Sequence, residues 1–352
     1  MSDAIVPRLS SLLPAAALAA ALSWLLATPA LAEVRVLTSI KPLQLIAAAV
    51  QDGAGTPEVL LPPGASPHHY ALRPSDIRRV READLLYWIG PDLEVFLPRV
   101  LKGREQPSLA VQDIPGLHLR HFGEAHRHGE EPHADAHDEH DHEEHDEQVA
   151  HQAEEHADNG HDDHADATAA EEHDAAHRPG SLDAHLWLLP DNARVIAARM
   201  AADLAKADPA NAARYQANLA AFEQRLAALD GQLRARLAPL KAKPFFVFHE
   251  AFDYFEEAYG LQHAGVFAVS AEVQPGARHV AAMRDQLQVA GPSCVFSEPP
   301  LRPRLAQTLS EGLPVRLAEL DALGFELKAD AGGYERLLEQ LGDGLAGCLE
   351  KL

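Results

Sequence analysis

Histidine set among carboxylates is the dominant chemistry of this sequence. Between His118 and Arg178 lie 15 of the 21 histidines and 20 acidic residues, against three arginines and no lysine. They come in runs such as His137-Asp-Glu-His140-Asp-His142-Glu-Glu-His145. Neutral imidazole and carboxylate are the nitrogen and oxygen donors that divalent metals take, so metal handling is the first reading. A solubilising polar linker is the plain alternative. Histidine pairs at i,i+2 (His126 and His128, His140 and His142) and at i,i+3 (His137 and His140, His142 and His145, His161 and His164) can chelate zinc weakly without a fixed fold. The stretch has almost no Leu, Ile, Val or aromatic residue, so burial cannot offset the entropy of ordering it. We read 118–178 as a disordered His-rich insert that raises the local metal concentration.

Outside it six histidines remain: His68, His69, His185, His249, His263 and His279. His68, His185 and His249 fall at strand ends or in the loops that follow, in separated parts of the chain. Three converging imidazoles with one further oxygen suit tetrahedral Zn(II). For each of the three taken alone, the plain reading is a surface or hydrogen-bonded histidine. No HExxH, paired-cysteine or Gly-rich phosphate motif accompanies them.

The elements that must position these residues alternate. Val34 to Thr38, Glu58 to Leu61, Leu85 to Ile89 and Ser108 to Val111 read as strands, with helices from Lys41, from about Ser75 and over about 93–101. This order implies right-handed crossovers and a mostly parallel sheet, with ligands at the carboxyl ends of the strands. A helix from Pro190 to about Ala207 precedes a longer one in which Tyr215, Leu219, Phe222, Leu226, Leu229, Leu233 and Leu237 recur at steps of four and three. A coiled-coil dimer is the competing reading of that stripe. Strand and helix then alternate again from Phe245-Phe-Val-Phe248, which runs directly into His249. The expected architecture is α/β: two lobes, each a mostly parallel sheet flanked by helices, joined by one long rigid linker helix. The divisions are 33–207, 208–240 and 241–352, with the binding site in the cleft between lobes.

Arg8, the apolar run Ala15 to Leu26 and Ala30-Leu31-Ala32 read as a cleavable signal peptide over residues 1–32, placing the mature chain in a periplasm-like compartment. The run is about 12 residues, short of the roughly 20 that span a bilayer. In an exported chain the two cysteines, Cys294 and Cys348, are expected to form a disulfide. The formal charge of −23 is concentrated in the insert, and no basic stripe is present, which argues against nucleic-acid binding. A monomer is expected.

Four motifs, Pro63-Gly-Ala-Ser-Pro-His68-His-Tyr-Ala-Leu-Arg-Pro-Ser-Asp76, Asp183-Ala-His185-Leu-Trp187, His249-Glu-Ala-Phe-Asp-Tyr-Phe255 and Ser297-Glu-Pro-Pro300, together resemble the zinc-specific substrate-binding proteins of ABC transporters. The resemblance spans essentially the whole mature chain in order, with an acidic His-rich insert between the first and second motifs and a cysteine pair near the C-terminus. It implies two lobes on a rigid helix, zinc bound in the cleft, delivery to a membrane permease, and no catalysis. It also implies His68, His185 and His249 as ligands. Pro67 stands where some relatives have an acidic ligand, so the resemblance offers Asp321 as the fourth, with water as its rival, and leaves His69 outside the site. Manganese-binding relatives carry a carboxylate at the third position, and hard ions prefer oxygen, so His249 points to zinc, Zn(2+), over manganese or another divalent ion. A zinc-dependent periplasmic hydrolase is the rival of a different class, with Glu250 as its one local candidate for a general base.

Overall fold

The computed structural model describes residues 33–123, 180–268, 276–299 and 304–352. The leader and residues 124–178 of the insert lie outside the described residues. The first lobe is built from β1 (Val36–Thr38), α1 (Lys41–Val50), β2 (Glu58–Val59), α2 (Pro74–Glu82), β3 (Leu85–Trp88), α3 (Pro98–Leu101) and β4 (Ser108–Ala110). Its strands run parallel in the order β2-β1-β3-β4. Proline stands in the first turn of α1, α2 and α3, where its missing N–H costs no hydrogen bond. Two longer helices follow, α4 (Pro190–Ala207) and α5 (Ala212–Leu237). The second lobe comprises β5 (Phe245–His249), α6 (Asp253–Tyr259), β6 (Gly265–Ala268), α7 (Ala277–Ala290), β7 (Ser293–Ser297), α8 (Arg304–Ser310), β8 (Val315–Glu319) and α9 (Gly333–Leu349). Its parallel order, β6-β5-β7-β8, repeats that of the first lobe.

Helix α5 is 26 residues long, or about 39 Å at 1.5 Å per residue. Its buried stripe is Tyr215, Phe222, Leu226, Leu233 and Leu237, while Leu219 and Leu229 are only partly buried. It packs on α1 and α4 from the first half of the chain and on α9 from the second, and Phe222 lies against the ring of Tyr334. Its apolar face is thus consumed within one chain, which leaves no coiled-coil seam of the kind the stripe alone allowed.

The second lobe shows how strand periodicity sets the site. Alternate residues of a strand face opposite sides. Phe245 and Val247 join the large core shared with the first lobe, whereas Phe246 and Phe248 pack into a separate cluster with Phe267, Met283 and Leu287. On β7, Cys294 and Phe296 face the shared core and Val295 the separate one. Cys294 therefore meets α9, where it is bonded to Cys348.

Two expectations change. The predicted helix over 93–101 is reduced to α3, because Glu94 turns inward: its carboxylate accepts from the N–H groups of Ile89 (3.2 Å) and Gly90 (3.0 Å) and from the Ser39 hydroxyl. The insert also begins later than 118. His121 bridges Leu182 in antiparallel fashion, Phe122 is buried, and Asp183 N–H donates to the Arg120 carbonyl at 2.9 Å. Phe122 is a large apolar side chain in a stretch whose sequence is otherwise nearly without them.

Candidate metal centre

Three separate elements bring one histidine each to the same point. His68 lies on the proline-rich loop after β2, at the carboxyl edge of the first sheet. His185 precedes a 3-10 turn, Leu186–Leu188, whose residues are completely buried. His249 is the last residue of β5 and, two positions after Val247, shares the face turned toward the first lobe. Ring centroids are 5.5 Å apart for His68 and His185, 5.4 Å for His68 and His249, and 5.1 Å for His185 and His249. One ring nitrogen of each lies within 4.8 Å of the others, the only such group of three among the described residues. All three are buried. They line a cavity of about 230 Å³ together with Trp187, Glu298 and Phe325.

Two of the rings are oriented by carboxylates. Asp183 Oδ1 accepts from the backbone N–H of His185 at 3.0 Å and from its Nδ1 at 2.8 Å. Glu298 Oε1 accepts from Nδ1 of His249 at 2.9 Å. With Nδ1 carrying the proton, Nε2 keeps its lone pair for a metal, and the carboxylate raises its basicity. The second contact follows from strand register: Val247 pairs with Phe296 in the parallel ladder, so stepping two residues along both chains puts Glu298 beside His249. Burial, then repulsion from His249, lowers the pKa of His185 to about 3, which keeps it in the neutral form that binds metal. Burial pushes Asp183 up to about 7, opposed by the N–H of His185 and by Arg120. A cation in the cavity would favour its ionised form.

Asp321 stands outside the three-histidine group. Its Oδ1 accepts from Leu323 and Gly324 N–H at 3.0 and 2.7 Å and its Oδ2 from Phe325 N–H at 2.8 Å, so it shapes the 321–325 loop. His69 is exposed. His263 is bound to Glu256 and His279 to the Val266 carbonyl, both away from the cluster. Glu250, the base a hydrolase would need, lines a different, larger cavity of about 780 Å³ beside Asp253, Glu256 and His263. No set of three ligating side chains converges there among the described residues.

Below the site the halves are stitched together. Trp187 Nε1–H donates to the Ala322 carbonyl at 2.9 Å, and the Tyr334 hydroxyl to the Trp187 carbonyl at 2.6 Å. The Tyr254 hydroxyl on α6 accepts from Arg120 N–H and donates to the Asp183 carbonyl. Asp183 and Glu298 had no role in the sequence reading, although both lie inside the quoted motifs. Their signals were the Asp-x-His spacing and the register that pairs β5 with β7.

The family model for the periplasmic component A of the zinc-uptake complex, ZnuA, matches residues 36–348. The chain belongs to that family. The high-affinity zinc uptake system protein ZnuA of Brucella suis is 38% identical over 323 residues, covering 90% of this chain and 92% of its own length. Among solved structures, the periplasmic zinc-binding protein TroA of Treponema pallidum aligns with a TM-score of 0.66 at 18% identity, over 90% of this chain and 99% of its own. The substrate-binding protein FpvC of Pseudomonas aeruginosa in complex with Mn2+ aligns with a TM-score of 0.67 at 20% identity, over 91% and 99% of the two chains. At these identities the structures establish the fold alone: two parallel sheets flanked by helices. The family is one of substrate-binding components and not of enzymes.

Proposed function

We propose that this protein captures Zn(II) in the cleft between its lobes, on His68, His185 and His249, and delivers it to the membrane permease of an ABC transporter for high-affinity uptake. The observation that carries this is the buried trio of imidazoles, two of them held by carboxylates on Nδ1. Nitrogen-rich, tetrahedral-compatible donor sets suit zinc, whereas manganese favours more oxygen. In this reading the fourth position is taken by water, since each Asp321 oxygen already accepts backbone N–H groups. The mature chain is a periplasmic monomer beginning after the 1–32 leader. It divides into lobes over 33–207 and 241–352 and a linker helix over 208–240, and nucleic acid is not a partner. The His-rich insert collects zinc without forming the tight site.

Calorimetric zinc titration of the mature protein, of a 124–178 deletion and of His185→Ala tests this. The deletion should keep the tight site and His185→Ala should lose it. The reverse pattern would place the tight site in the insert. Zinc-dependent ester or peptide hydrolysis by the intact protein would revive the enzyme reading.

A further inference from the structure

Between Tyr70 and Arg104 the chain carries seven cationic side chains against five acidic ones, in a protein with 30 Lys and Arg against 53 Asp and Glu. Along the sequence these cations never form a run longer than Arg78-Arg79, and they are distributed over α2, α3 and the turns beyond. Two have internal work: Arg79 pairs with Glu58, and Arg104 donates to the carbonyls of Val80, Ala83 and Pro107. Arg78, Arg81, Arg99 and Lys102 are exposed and have no ion-pair partner among the described residues.

Arg81 and Arg99 also line a groove of about 530 Å³ whose other walls include Leu72, Ile77, Phe96 and Val100. Val95, the residue before Phe96, is 64% exposed. Half-buried apolar side chains flanked by exposed arginines without ion-pair partners are the composition of a protein–protein contact. The groove also adjoins the metal loop. Tyr70, two residues after His68, lines it, stands edge-on to Phe96 at 5.7 Å, and is anchored by a 3.0 Å hydrogen bond from its hydroxyl to Asp76.

We propose that this groove between α2 and α3 is a docking surface for an acidic segment of the membrane permease that presents an apolar side chain. The proposal rests on the uptake role above. The concave apolar floor calls for a protruding side chain, which a flat lipid surface does not offer. A second copy of this chain carries most of its −23 in the insert, and that occupant is an outcome of the test.

The test uses the full-length mature protein, zinc-loaded, and the cognate permease complex in nanodiscs, with Arg81→Glu/Arg99→Glu and, separately, Val95→Asp. Val95 is exposed, so its replacement leaves packing intact. Both variants should bind the permease at least about tenfold more weakly, and the charge reversal should flatten the salt dependence of association. Zinc titration of the same samples should match wild type. It reports on the cleft while nanodisc binding reports on the groove, so failure of the zinc reading is seen apart from failure of this one. Wild-type permease affinity in both variants overturns the proposal. So does charge-sensitive binding to permease-free anionic nanodiscs, which would make the groove a lipid contact, or a wild-type dimer in sedimentation that either variant dissolves.

Discussion

The two lobes carry the same four-stranded parallel order yet present the clustered histidines differently. In the second lobe the histidine is part of the sheet: His249 ends a strand whose five residues are all buried, and its orienting Glu298 lies on the extension of the neighbouring strand. In the first lobe both histidines stand off the sheet, His68 on a proline-rich loop and His185 before a 3-10 turn. There, orientation is local, through Asp183 two residues before His185. Asp183 is almost fully enclosed at 2% side-chain exposure, whereas Glu298 retains 17%. One half of the site is thus set by ladder register and the other by buried polar contacts. A carboxylate cut off from water interacts more strongly with its imidazole than one reached by solvent.

The largest test of this contrast removes the ligands themselves. His185→Ala and His249→Ala should each cost more zinc affinity than the 10–100-fold typical of losing an orienting carboxylate, measured by competition against a chelator. If one of them left tight binding intact, the site would belong to a single lobe. Next, replacing both Cys294 and Cys348 by serine should lower stability by about 4 kcal/mol on the chain-entropy estimate for their 54-residue separation. Because the bond ties only β7 to α9, proteolysis should attack the second lobe first. A smaller effect separates the orienting groups: Asp183→Asn should weaken zinc more than Glu298→Gln, both within about 10–100-fold. Equal losses would show that burial does not set the difference.

The smallest effect is in pH. Burial raises Glu94 to about 7, against hydrogen bonds from Ser39, Gly90 and Ile89 that favour the carboxylate. Its folded pKa exceeds its unfolded value, so the folded state binds the extra proton between about 4.5 and 7. The contribution is complete below that window and lost as pH rises through it. Glu94→Gln should flatten the decline of the urea midpoint between pH 5 and 8, and an unchanged slope would assign the decline to other groups. His263 in the second lobe acts in the same direction at higher pH. Burial lowers its pKa, but the hydrogen bond and charge of Glu256 outweigh it and raise it to about 9. Its contribution is therefore present below its usual value and lost as pH rises through about 9.

Much of the architecture was legible because its signals are local. The buried runs at Leu85 and Phe245, the proline at the start of α1 and the stripe on α5 each name an element from adjacent residues. What escaped was set by distant partners. Glu94 shortened a predicted helix because Ser39 and the end of β3 offered it hydrogen bonds, and Phe122 drew the base of the insert into the fold. The arginines of α2 and α3 looked unremarkable in an acidic chain until tertiary packing placed a groove between them.

From the sequence alone, hydrophobic periodicity gives the two parallel α/β lobes, composition points to metal handling and the two cysteines to a disulfide, while the three histidines are singled out by the family resemblance of the motifs that carry them. Only the tertiary structure decided that the three imidazoles meet within 4.8 Å, that Asp183 and Glu298 hold two of them, and that Asp321 turns its oxygens to its own loop. Those outcomes depend on strand register and on which buried polar group finds a partner, and both are settled only when segments far apart in sequence pack together.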